Sequence, residues 1–165
     1  MRGRDATGLK TRTHGDYHLG QVLIAQNDVM IVDFEGEPGR ELDERRHKTS
    51  PLRDVAGMLR SFDYAAVSAL DALRARRGQL EPELRQRARA WRDQATRDFL
   101  GAYWPTAERA GLVPNDAELG RNLLDLFLLE KAFYEINYEA ANRPAWISIP
   151  VRGILDLIAP PAAST

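Results

Sequence analysis

The stretch His14-Gly15-Asp16-Tyr17-His18-Leu19-Gly20-Gln21 constrains this chain more than any other. Asp33-Phe34-Glu35 begins twelve residues after Gln21. Between them lie two apolar runs, Val22-Leu23-Ile24 and Val29-Met30-Ile31-Val32, separated by the turn-rich Ala25-Gln26-Asn27-Asp28. Short apolar runs bounded by turn residues read as a β-hairpin. The stretch is therefore a loop, a hairpin and a second, acidic loop. This predicts that Asp16, Gln21 and Asp33 meet at one end of a small sheet. Two carboxylates and an amide oxygen converging there are hard donors, suited to Mg²⁺ and phosphate chemistry. Asp-x-x-x-x-Gln alone arises easily by chance. His-Gly-Asp in front of it, with a hairpin and Asp-Phe-Glu behind, does not.

Composition narrows the rest. A chain of 165 residues suffices for one domain with a moderate core. The net charge of −1 gives no footprint for nucleic acid or an anionic membrane. No run of 18 apolar residues and no apolar signal core are present, so a soluble cytoplasmic protein with no membrane partner is expected. Cysteine is absent, which excludes disulfides, thiolate metal sites and thiol nucleophiles.

The remainder reads as helices. Residues 1–13 are polar and form a frayed lead-in or the end of a helix. Residues 36–51 read as a loop whose basic half is Arg40, Arg45, Arg46, His47 and Lys48. Most of these are expected in solvent, with one cation free to hold a phosphate or sugar. Leu52, Val55, Leu59, Phe62, Ala66, Leu70 and Leu73 predict an amphipathic helix over 52–77. Ser50-Pro51 would start it and Gly78 end it. A second helix is expected over 80–104, with a core stripe of Leu84, Ala88, Trp91, Ala95 and Phe99 and a solvated arginine-rich face, closed at Trp104-Pro105. A third follows from Asn115 or Asp116 to Asn142, where Arg143-Pro144 stops it. Lys131, Tyr134 and Tyr138 fall at i, i+3 and i+7 and share one face of that helix. Such a face suits a sugar, since aromatic rings cover C–H groups while hydroxyls and an ammonium reach oxygens; it equally suits an amphipathic core. A short closing helix from Pro150 and a disordered tail over 159–165 complete the chain.

The loop resembles the catalytic loop of the protein-kinase-like fold, with an aspartate base, a metal-binding residue five positions on and a metal-binding aspartate after a hairpin. His-Gly-Asp resembles the aminoglycoside phosphotransferase branch. Gln21 in place of the usual Asn, followed by Asp33-Phe34-Glu35-Gly36-Glu37-Pro38, is similar to the maltokinase family, as is Arg60-Ser61-Phe62-Asp63-Tyr64. The resemblance implies a mainly α fold with a small β-hairpin, the C-terminal lobe of the kinase-like architecture. Only thirteen residues precede His14, so the N-terminal ATP lobe is expected to be missing. The implied reaction moves the ATP γ-phosphate to the anomeric hydroxyl of maltose, with ATP and Mg²⁺ as cofactors. The implied partners are the missing N-terminal lobe and, by fusion or association, trehalose synthase.

Asp16 would be the catalytic base, Gln21 and Asp33 would hold the metal and nucleotide, and Glu35 would touch a second metal. His14 would support the loop. His18 would orient Asp16 or touch the substrate. Asp54 matches the family's brace for the catalytic loop, or compensates a helix dipole. A Glu-Lys-Ala…Tyr-Glu…Tyr-Glu…Arg-Pro pattern implies Lys131, Tyr134 and Tyr138 as substrate contacts, with Glu130 and Glu135 behind them. Two alternatives stay open: a kinase for an aminoglycoside or amino alcohol, which Glu130, Glu135 and Glu139 would suit, and an inactive helical module retaining a kinase signature.

Overall fold

The computed structural model describes residues 8–79 and 82–159. The hairpin is β1 (Val22–Ala25) and β2 (Asp28–Ile31), antiparallel, with Val22 opposite Ile31 and Ala25 opposite Asp28. Gln26 and Asn27 form the two-residue turn with φ of 50° and 64°. Two left-handed residues match the twist of a tight hairpin.

Among the described residues five α-helices follow: α1 (Leu42–Arg46), α2 (Leu52–Arg77), α3 (Pro82–Arg109), α4 (Ala117–Asn142) and α5 (Ser148–Ile158). A two-stranded hairpin on a helical body is the architecture the sequence predicts. Helix α2 is the centre. Val55 to Arg60 are buried without interruption, so this half of the helix is enclosed on every side. Leu52, Val55, Met58, Leu59 and Phe62 pack with Ala107, Val113 and Leu124 in one core. Gly78 ends α2 at φ 79°. The Asp116 carboxylate caps α4 by accepting from Glu118 N–H and Leu119 N–H at 2.9 and 3.2 Å.

Several local expectations need correction. The stretch 36–51 is not all loop, since it holds α1, with acidic residues in its first turn and arginines in its last. Helix α3 does not close at Trp104-Pro105 but runs on to Arg109. Core packing of Leu100, Tyr103, Trp104 and Ala107 on both sides of Pro105 outweighs the one lost backbone hydrogen bond. Trp91 is 48 % exposed and meets the core edge-on at Phe62. Helix α5 begins two residues before Pro150, after a 3₁₀ turn at Pro144–Trp146. The lead-in is neither frayed nor helical over residues 8–13: Thr11 and Thr49 form a β-bridge. Residues 1–7, the helix start at 80–81 and the tail at 160–165 lie outside the described residues. No helix among the described residues is long and apolar enough to cross a membrane.

Candidate active site

His14 is buried and braces its loop through both ring nitrogens. Its Nε2–H donates to the Val32 carbonyl at 2.8 Å, and Nδ1 accepts from the Asp16 N–H at 3.3 Å. One imidazole therefore ties the loop before the hairpin to the segment after it. Asp54, in the first turn of α2, accepts from the backbone N–H groups of His14 and Gly15 at 2.7 and 2.9 Å. Burial pushes the Asp54 carboxyl above its usual range, and the two N–H donors offset this only in part. Gly57 of α2 lies directly under the loop: a Cβ there would stand 2.6 Å from the Tyr17 carbonyl. The side chain is absent where helix and loop backbones must touch.

On this platform Asp16 points into a cleft lined by Glu37, Arg40, Arg53, Glu130, Lys131 and Tyr134. The Lys131 ammonium lies 2.6 Å from Glu37 Oε1 and 3.6 Å from Asp16 Oδ1, and 5.0 Å from the Tyr134 ring centre. Burial by itself would lower Lys131, but Glu37, Asp16 and Glu135 together hold it above its ordinary value, so it stays charged. Glu37 is itself buried and takes a second cation, Arg40, at 3.1 Å. At the end of the hairpin the Gln21 amide donates to Asp33 Oδ2 at 2.9 Å. Asp33 sits at φ 65°, a left-handed conformation unusual for a residue with a side chain.

The predicted substrate residues divide. Lys131, Tyr134 and Glu130 line the cleft with Asp16. Tyr138 stacks on Tyr134, 6.5 Å between ring centres, and is 45 % exposed beyond it. His18 caps the turn before β1 by accepting from Gly20 N–H at 3.0 Å, and its Nε2 stands 3.9 Å from Asp16, beyond hydrogen-bond reach. Glu130 is engaged by Arg40 and Arg53. Glu135 is not available to a substrate: Arg60 binds it at 2.8 and 2.9 Å inside the protein. Glu139, the other carboxylate of that face, is buried against the Tyr64 hydroxyl at 3.0 Å and Arg143 at 2.7 Å.

Glu35 is exposed, and its backbone carbonyl accepts from Arg45 at 3.4 Å. Among the described residues no three His, Cys, Asp or Glu side chains are grouped to hold a metal unaided. Asp33 and Gln21 instead offer one carboxylate and one amide oxygen. That donor set fits Mg²⁺, which is commonly held by one or two carboxylates and completed by phosphates and water.

The cleft residues that the sequence reading passed over are Glu37, Arg40 and Arg53. Glu37 lay inside the Asp33 to Pro38 motif, and Arg40 inside the basic run, where one cation was expected to serve a site. Arg53 carried no sequence signal, being one of many arginines on a helix.

No protein-family model matches the chain. It is 30 % identical over 145 residues to a glucosamine kinase of Streptacidiphilus jiangxiensis, covering 88 % of this chain and 31 % of that protein. It is 31 % identical over 138 residues to a glucosamine kinase of Mycolicibacterium smegmatis, covering 83 % of this chain and 32 % of the relative. The chain thus spans about a third of the length of the curated relatives it matches. A solved glucosamine kinase in complex with glucosamine, ADP and inorganic phosphate superposes with a TM-score of 0.71 at 30 % identity, over 88 % of this chain and 32 % of that one. A second crystal form gives 0.72 at 29 % identity, over 89 % and 34 %. The fold described above is therefore one found as part of known sugar kinases; the comparisons point to glucosamine kinases rather than to maltokinases.

Proposed function

We propose that residues 8–79 and 82–159 form the acceptor side of an ATP-dependent sugar kinase, and that the acceptor is an amino sugar of the glucosamine type. The observation that carries this reading is Asp16 fixed in a cleft 3.6 Å from Lys131, on a loop held by Asp54 and His14. In the proposed reaction Asp16 accepts the proton of the acceptor hydroxyl and orients its oxygen. Lys131, ion-paired with Glu37, stands beside Asp16 without adding net positive charge to the pair. Asp33 and Gln21 would hold Mg²⁺. Mg²⁺-bound ATP supplies the phosphoryl group and neutralises its charge. Glu35 remains a candidate for a second ion, directly or through water.

Charge supports a cationic acceptor. The cleft lining holds four carboxylates, Asp16, Glu37, Asp54 and Glu130, against three cations, Arg40, Arg53 and Lys131. A sugar ammonium balances that set. Maltose is the second reading, favoured by the stacked Tyr134 and Tyr138, whose exposed end offers a flat surface to a second sugar ring. The nucleotide also needs a covering surface. Leu23, Ile24, Val29, Met30 and Phe34 of the hairpin region are all at least half exposed, and Ile24 reaches 83 %. An apolar face of this kind suits a nucleotide lobe built by further residues of the relatives' length.

The test is ADP release by the protein assembled with its nucleotide lobe, offered glucosamine, maltose and an aminoglycoside in turn. Glucosamine is the expected best acceptor; a preference for maltose would replace the amino-sugar reading, and no turnover with any sugar would end the kinase one. Asp16→Asn should reduce kcat by about 10²–10⁴-fold with an unchanged circular dichroism spectrum. Near-normal turnover in that variant would refute the role of Asp16.

A further inference from the structure

Away from the cleft, α2, α3 and α5 enclose a second concavity, a groove of about 740 Å³. Its floor is the far end of α2, where Ala66, Val67 and Leu70 recur at helical spacing. Ala88 of α3 lines one wall, and Ile149 and Leu155 of α5 line the other. This concavity mixes apolar and charged side chains and is open, and Leu155 is 56 % exposed.

Its rim is basic. Arg74, Arg85, Arg89 and Arg152 line the groove, and none of them forms an ion pair among the described residues. Asp71 is the one lining carboxylate in the same position. Arg92 is different: it reaches Asp63 at 3.1 Å and Asp156 at 3.3 Å and ties α3 to α5. Four unmatched guanidiniums against one unmatched carboxylate stand out on a chain whose net charge is −1.

We propose that this groove docks an acidic amphipathic helix of a partner protein. The concavity favours a helix over a flat membrane surface, because a helix can insert apolar side chains at i, i+3, i+4 and i+7 among the lining residues. The charge selects its flanks, because glutamates beside the apolar stripe meet guanidiniums in paired geometry. A small anion would satisfy the rim and leave the floor uncovered. Pro160 to Thr165 carry two prolines and no acidic side chain, the wrong chemistry for such a helix. The proposal does not rest on the kinase reading.

The probe is a fluorescein-labelled synthetic peptide of about three heptads, with leucine at the seam and glutamate beside it. Its counterpart carries lysine in place of glutamate. Anisotropy with the full chain should show the acidic peptide binding at least about tenfold tighter, with a preference that shrinks in high salt. Arg85→Glu with Arg89→Glu should abolish or reverse the preference, and Leu155→Glu should weaken the acidic peptide about tenfold. All three positions are exposed, so circular dichroism should be unchanged. Equal affinity for both peptides overturns the proposal, as does acidic-peptide binding that the groove variants leave intact. Self-association that Leu155→Glu abolishes would assign the groove to a second copy. Binding to phosphatidylserine vesicles but not to the peptide, lost in the same variants, would assign it to a lipid surface; either result replaces the partner helix.

Discussion

Single side chains do unequal work in this protein, and Tyr103 is the clearest case of a cost. Its hydroxyl is buried and has no hydrogen-bond partner among the described residues. An unmatched buried hydroxyl is destabilising, so Tyr103→Phe should leave stability unchanged or raise it by about 1 kcal/mol in urea unfolding. A loss of similar size would mean the hydroxyl has a partner. Burial first, and then the nearby Asp54 charge, push Tyr103 up from 10.0 to about 12. The sign follows from linkage: the folded state keeps the proton that the unfolded chain releases near 10, so this share of stability is present below pH 10 and is lost as pH rises towards about 12. Unfolding at pH 9 and pH 11 should therefore differ less in Tyr103→Phe than in the parent. Sequence reasoning could not see this, because nothing in the residues around Tyr103 says where its hydroxyl points. It could see His14 as a brace, since the residue precedes the aspartate it steadies.

At the scale of elements, two glycines of similar appearance in sequence behave oppositely. Gly57 of α2 lies under the loop, where a Cβ would press on the Tyr17 carbonyl at 2.6 Å. Backbone cannot yield as a flexible side chain can. Gly57→Ala should cost about 1–3 kcal/mol and impair turnover by displacing Asp16. Gly101 of α3 has nothing within 4 Å of the corresponding position. Gly101→Ala should stabilise by about 0.5–1 kcal/mol through helix propensity alone. Thermal melts of both variants check the pair; the same sign for both would contradict the packing described. Helix α4 teaches the same lesson about faces. The spacing of Lys131, Tyr134 and Tyr138 gave their common side correctly, and the cleft takes the first two. Glu135 and Glu139 sit one turn apart, and that spacing could not tell that α2 lies there, with Arg60 and Tyr64 waiting for both carboxylates.

In the molecule as a whole, four helices are tied by one charged network. Arg60, 3 % exposed, joins Glu135 of α4 and reaches Asp63 at 2.5 Å; Asp63 passes to Arg92 of α3, and Arg92 to Asp156 of α5. The helices close over it because Gly153 has no Cβ to overlap the Arg60 guanidinium. Removing one partner leaves a buried charge uncompensated. Arg60→Ala should therefore cost about 3–5 kcal/mol. Replacing Arg60 and Glu135 together by methionines should recover much of that loss. Additive losses in the double variant, measured by urea unfolding, would show that the pair is not coupled.

What the sequence alone determined was local. The hairpin came from two apolar runs and a turn, the end of α2 from Gly78 and the start of α4 from the Asp116 cap; the joining of Gln21 to Asp33 came from the chain returning on itself, while Asp16, expected beside them, lines the cleft with Lys131 instead. Each depends on residues close together along the chain. Only the tertiary structure decided which carboxylates face the cleft and which are spent inside, and that Glu37, 94 residues from Lys131, is its nearest partner. It also decided that α3 continues through Pro105 and that a basic groove opens between α2, α3 and α5. These are consequences of how α2 is surrounded, and burial and charge pairing across distant helices leave no period in the sequence to read.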